Sequence, residues 1–137
     1  ELVKKLCTEF QTTDTCAVHV RGGDIVGPGR AFFERALARM EKERPGLRYL
    51  VFTNDKEAAK EALEGEHTER KMTYISELGA FSDIDEFFLM AACRHQIISN
   101  SSYSTWAAYL NPNPEKVVIM PEYKGCEQIR LKEWIVL

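Results

Sequence analysis

The stretch VHVRGGDIVGPGR, Val18 to Arg30, places a histidine, two arginines, an aspartate and four glycines directly behind a short apolar run. A plain turn needs one or two glycines. Four of them, beside arginines, give the backbone room to approach a polar and anionic group. Two familiar phosphate loops are excluded by the spacing. A dinucleotide fingerprint needs G-x-G-x-x-G, but Gly27 and Gly29 are followed by Phe32 where the third glycine belongs. A Walker A loop needs G-x-x-x-x-G-K, and Gly22 to Gly27 is followed by Pro28. What remains is His19, Arg21 and Asp24 around a strand end. The rigid donor fork of Arg21 suits phosphate oxygens. An equally ordinary reading is a surface turn braced by an Arg21–Asp24 pair.

A second candidate is ISNSSYSTW, in which Asn100, Ser101 and Ser102 stand where a strand gives way to a helix. Free N–H groups and hydroxyls at a helix start attract anions. Simple N-capping by Ser102 accounts for the same pattern. Asp83, Asp85, Asn54 and Asp55 also sit at element boundaries, where each can serve as a cap and nothing more.

The elements that must position these groups alternate in type. TCAVHV reads as a strand, and RAFFERALARMEKER as a helix ended by Pro45 and Gly46. LRYLVFT is a strand, DKEAAKEALEGE a polar helix, and MTYIS a third strand. SDIDEFFLMAACRH is a helix with Ser82 as N-cap and acids in its first turn. QIISN is a strand, SSYSTWAAYLN a helix, and KVVIMP the last clear strand; RLKEWIVL is either strand or helix. Five such alternations predict an α/β fold, a Rossmann-like parallel sheet with helices on both faces. Ligands of such sheets bind beyond the carboxyl ends of the strands. The segments to inspect are therefore 21–29, 53–55, 76–85, 100–102 and 121–123.

The chain has 137 residues, which predicts one domain over 1–137. A net charge of −3 argues against a general nucleic-acid binder. No run of about 18 apolar residues marks a membrane span. The four cysteines, Cys7, Cys16, Cys93 and Cys126, form no C-x-x-C, and only Cys93 stands near a histidine, His95. They read as reduced, with Cys93 in a core helix. Phe87, Phe88, Trp106 and Tyr109 read as core aromatics, and His95 as a partner for a helix C-terminus.

The blocks VHVRGGD, FTND and DEFFLMAACRHQIISNSSYSTWAAYLNPNPEKVVIMP resemble the α-1,2-fucosyltransferases, glycosyltransferase family 11. That family shows an H-V-R-R-G-D-Y type motif and a D-x-x-L-M-x-x-C-x-H-x-I-I-x-N-S-[ST]-[FY]-S-x-W-x-A-x-L-N type block. The match runs from about Cys16 to Tyr123, with the motifs in order, and the second block is the more specific. The resemblance implies the C-terminal, donor-binding half of a GT-B-type enzyme. It implies GDP-fucose as donor substrate and no cofactor or metal. It further implies inverting transfer of fucose to the 2-hydroxyl of a terminal galactose on a glycan acceptor. Membrane association would come through parts outside this chain.

The resemblance also implies roles. Arg21 would bind the diphosphate and neutralise charge developing on the leaving GDP. His19 would contact the ribose or base, and Asp85 would accept from guanine N1–H and N2–H₂. Ser101 and Ser102, with Asn100 before them, would hold the β-phosphate. Gly22 and Gly23 would admit the diphosphate and Asp24 would support the loop. Asn54 and Asp55 would stand at the pocket edge. There are departures. Gly22 stands where the family usually has a second arginine, Ile25 replaces an aromatic, and Thr105 and Ala107 stand where Trp and Gly are common. The missing charge at Gly22 motivates a second reading, a transferase for another nucleotide sugar. The short length motivates a third, a non-catalytic nucleotide-binding module lacking its acceptor domain.

Overall fold

The computed structural model describes residues 1–21, 28–64 and 71–137. Six strands form one sheet: β1 (Thr15–Val20), β2 (Arg48–Thr53), β3 (Lys71–Tyr74), β4 (His95–Ile97), β5 (Val118–Met120) and β6 (Ile135–Val136). Their order is β3-β2-β1-β4-β5-β6, and every pairing is parallel. Among the described residues six α-helices accompany them: α1 (Leu2–Thr12), α2 (Arg30–Glu43), α3 (Lys56–Leu63), α4 (Asp83–Ala92), α5 (Ser102–Leu110) and the short α6 (Cys126–Ile129). The fold is α/β and Rossmann-like, as the alternation of elements predicts.

A parallel strand needs cover on both faces, and β1 is buried at all six positions. Its side chains divide by parity. Cys16, Val18 and Val20, with Tyr49 and Val51 of β2, meet Phe33, Leu37 and Met40 of α2 and Leu63 of α3. Ala17, with Leu50 and Phe52, meets Leu6 and Phe10 of α1 and Leu89 and Met90 of α4 on the other face. The two-residue period of the strands thus feeds two cores at once. A third cluster, including Ile98, Val118, Met120 and Trp134, closes the β5–β6 end.

The turns follow from local chemistry. Gly46 takes φ +81°, a conformation that L side chains rarely adopt, and the chain leaves α2 there for β2. Ser82 and Asp85 form a capping box at the start of α4: the Asp85 N–H donates to Ser82 Oγ at 3.1 Å, and the Ser82 N–H to Asp85 Oδ2 at 3.4 Å. Asp55 caps α3 by accepting from the Ala58 N–H at 3.1 Å. Gln96 is a polar residue at a fully buried strand position. Its Nε2 donates to the Met90 and Cys93 carbonyls, each at 3.1 Å, and its Oε1 accepts from Asn111 Nδ2 at 2.9 Å. One satisfied amide thereby ties the ends of α4 and α5 to the sheet.

Several expectations are corrected. Phe88 and Trp106 are 53% and 58% exposed and lie outside the core, while Phe87 and Tyr109 are half-buried. The inner side of α4 is already filled by Leu89, Met90, Ala91 and Ala92, so Phe88 turns outward. Helix α5 is capped by Ser101, not Ser102: the Tyr103 N–H donates to Ser101 Oγ at 3.2 Å. His95 is the first residue of β4, buried, and its Nδ1 accepts from the Val117 N–H at 2.9 Å. It is a strand residue with its own partner, not a helix-end counter-charge. Cys93 is fully buried but follows α4 as its C-cap, and all four cysteines are free thiols. The tail contains both candidate forms, α6 and then β6, with β6 falling on the Ile135–Val136 pair.

Candidate functional site

Strand β1 lies between β2 and β4, so the chain crosses to opposite sides of it. That is the topological switch point, where a crevice opens beyond the carboxyl ends of the strands. Two clefts of about 370 Å³ each lie along this edge. The first is walled by His19 and Arg21 at the end of β1 and by Phe52, Thr53 and Asn54 at the end of β2. Asp83 and Glu86 of α4 and Tyr103 of α5 complete it. The second runs from Pro28 and Gly29, at the start of α2, to Asn100 and to residues 121–123 after β5.

His19 is held firmly. It is 7% exposed, opposite Phe52 in register, and its Nδ1 is 2.8 Å from Ser99 Oγ. The Ser99 hydroxyl lies in turn 3.4 Å from that of Ser104. With Nδ1 engaged, Nε2 is the ring nitrogen left over; when the Ser99 hydroxyl donates, Nε2 carries the proton. Burial and then the charge of Arg21 push the imidazole pKa down to about 4, so the ring is neutral at pH 7. The Tyr103 ring stands 5.7 Å from it, tilted by 46°. Tyr103 Oη donates to the Asp83 carbonyl at 2.6 Å, which fixes the start of α5 against the start of α4. Burial, and then the charges of Glu86 and Asp83, raise the phenol pKa. Burial, and then Asp83, raises that of Glu86.

Arg21 is half-buried, and among the described residues no carboxylate lies within ion-pair distance of its guanidinium. Gly22, Gly23 and Asp24, and with Asp24 the expected Arg21–Asp24 pair, lie outside the described residues. Of the other anticipated residues, Asn54 lines the first cleft with His19 and Arg21, and Asn100 the second. Ser101 is buried as the α5 cap, and Ser102 is exposed in its first turn. Asp55 and Asp85 are both engaged in helix caps. The acids lining the cleft are Asp83 and Glu86. They are three apart and so share one side of the helix, a periodicity visible in the sequence that the reading of Asp85 overlooks. Tyr103 and Phe52 were likewise not anticipated in the site; nothing in their local pattern separates them from core aromatics. Among the described residues, no group of three or more His, Cys, Asp or Glu side chains is placed to hold a metal. No helix among them is long and apolar enough to cross a membrane.

The two neutral histidines set an acid limit on stability. His95 also sits at about 4, through burial and then the charges of Arg44 and Arg94, against 6.5 for a free imidazole. A depressed folded-state pKa means that the unfolded chain takes the proton first. The stabilisation is therefore complete above pH 6.5 and is lost as the pH falls toward 4. Melting temperature should fall steadily between pH 7 and 4.5. His95→Gln keeps an acceptor for the Val117 N–H and removes one titration, so its melting curve should fall less steeply. An acid slope equal to that of the unmodified protein would contradict this account.

A six-stranded parallel sheet in this order, with a basic strand end and a capped helix start at its switch point, is a Rossmann-like α/β architecture, a class whose ligands bind at that point. Within that class, the chain belongs to glycosyltransferase family 11, whose family model, "Glycosyl transferase family 11", matches residues 3–137. It is similar to the O-antigen biosynthesis glycosyltransferase WbnK of Escherichia coli. The two are 30% identical over 130 residues, which take in 86% of this chain and 40% of the relative. The chain thus spans well under half the length of that relative. No solved structure matches it.

Proposed function

We propose that this chain is the donor-binding part of a fucosyltransferase. It holds GDP-fucose for inverting transfer to the 2-hydroxyl of a terminal galactoside. The observation that carries the reading is the Arg21 guanidinium, which borders the switch-point cleft beside a neutral His19 and has no carboxylate partner among the described residues. Family membership and the glycan-building name of the E. coli relative support a sugar donor and a glycan acceptor.

The nucleoside lies in the first cleft. The half-buried ring of Tyr103 offers apolar surface to the base, with Phe52 and His19 behind it, and Asp83 and Glu86 offer acceptors for its N–H groups. Glu86 and Asp83 take the part assigned by resemblance to Asp85, whose carboxylate is committed to Ser82. The diphosphate lies between Arg21 and the start of α5, where Ser102 is exposed. In transfer, the galactose 2-oxygen bonds to the fucose anomeric carbon as the bond to the β-phosphate oxygen breaks. That electron pair stays with GDP, where Arg21 offsets it. The acceptor proton passes to a base outside this chain. The chain covers 40% of its relative, and we propose that it binds donor without turnover on its own.

A thermal-shift panel of GDP, UDP and ADP tests the reading. GDP at saturating concentration should raise the melting temperature by several degrees, because a ligand bound only by the folded state stabilises it. Stabilisation by UDP alone would move the assignment to another nucleotide sugar. Stabilisation by none would remove it.

A further inference from the structure

We infer that the second cleft on the carboxyl edge is the subsite for the sugar ring of the donor, with Arg35 and Glu122 as its recognition pair. The inference rests on the donor reading above. Its basis is placement. The second cleft is bordered by Asn100 and the first by Tyr103, the residues on either side of Ser101 and Ser102 in the chain at the start of α5. A ligand whose diphosphate rests on that helix start has one end toward each cleft. The half-buried Tyr103 ring and the paired acids of the first suit a base. The second differs in chemistry.

Its rim carries the guanidinium of Arg35 and the carboxylate of Glu122, both exposed and both without an ion pair or side-chain hydrogen bond among the described residues. Its floor includes Phe32, 5% exposed, and the buried Pro121. A guanidinium only donates and a carboxylate only accepts, whereas each sugar hydroxyl does both. A pair of opposite kind is therefore matched to sugar hydroxyls, and the apolar floor to the C–H face of the ring. A volume of about 370 Å³ falls within the range of small-molecule clefts. A cleft serving a second phosphate would be expected to carry basic groups alone; Glu122 opposes that use.

The test is calorimetric titration of the chain with GDP and, separately, with GDP-fucose, for the unmodified protein, Arg35→Ala and Glu122→Gln. Both positions are exposed, so the variants should fold, and circular dichroism would confirm it. Each variant should bind GDP-fucose about tenfold more weakly while holding GDP affinity to within about twofold. Parallel weakening for both ligands would place Arg35 on the phosphates and overturn the sugar subsite while leaving the donor reading intact. Unchanged affinity for both would also overturn it. Failure of the unmodified protein to bind either ligand would remove this inference and the donor reading together.

Discussion

Arg21→Ala should lower affinity for GDP by about 100-fold while leaving guanosine binding within about twofold. The loss corresponds to on the order of 3 kcal/mol, that of charge-assisted hydrogen bonds to a phosphate. The selectivity matters more than the size. Arg21 borders the same cleft as His19 and Phe52, so a variant that merely distorted the cleft would weaken nucleoside and nucleotide alike. Guanosine carries the base and ribose but no phosphate, so it reports on the walls alone. Removing the cation also lifts one of the two influences that depress the His19 pKa, the second after burial. The imidazole should then titrate somewhat higher, which NMR of the ring protons can follow. Equal losses for GDP and guanosine would show that Arg21 acts through the shape of the cleft and not through phosphate.

The second large effect is on stability. Phe10→Ala should cost about 4 kcal/mol, a large share of the stability of a domain this size. Phe10 is fully buried and packs with Leu6 beneath Leu50, Phe52 and Leu89. Its carbonyl also accepts from Thr15 Oγ1 at 2.8 Å, at the start of β1. A cavity here loosens the support of Phe52, one wall of the first cleft. Urea denaturation of both proteins measures the difference. A loss below about 1 kcal/mol would mean that α1 is a dispensable layer and not part of the core.

Helix α1 also shows where the sequence stops being legible. The strands of the central sheet announce themselves as β-branched runs, and every alternation of strand with helix from Thr15 to Met120 appears in the fold. The segment LVKKLCTEFQT has only Leu6 and Phe10 buried, four residues apart. With no side-chain cap and no acid in its first turn, it carries neither of the N-terminal signals that mark α3 and α4. Tertiary contact with α4 and the sheet decides that it packs. The candidate cleft was legible in its location, since the switch point follows from the order of elements, and His19, Arg21 and Asn54 line it. It was less legible in its particular acids. Asp85 and Glu86 are neighbours in sequence, but one faces back to Ser82 and the other into the cleft. Likewise Ser101 and Ser102 exchange the roles of cap and exposed hydroxyl. A shift of one residue on a helix rotates a side chain by roughly 100°, and resemblance of motifs does not resolve it.

The sheet tapers. Its two longest strands, β1 and β2, have six residues each and are flanked on both sides, whereas the outer strands β3 and β6 have four and two. The segments with the greatest capacity for intermolecular pairing are thereby enclosed, and β3 opens with an exposed lysine, Lys71. Among the described residues, little unpaired backbone is left at either margin for another molecule to zip onto. Resistance to ordered aggregation is thus built into the strand order itself, independently of any residue that touches a nucleotide.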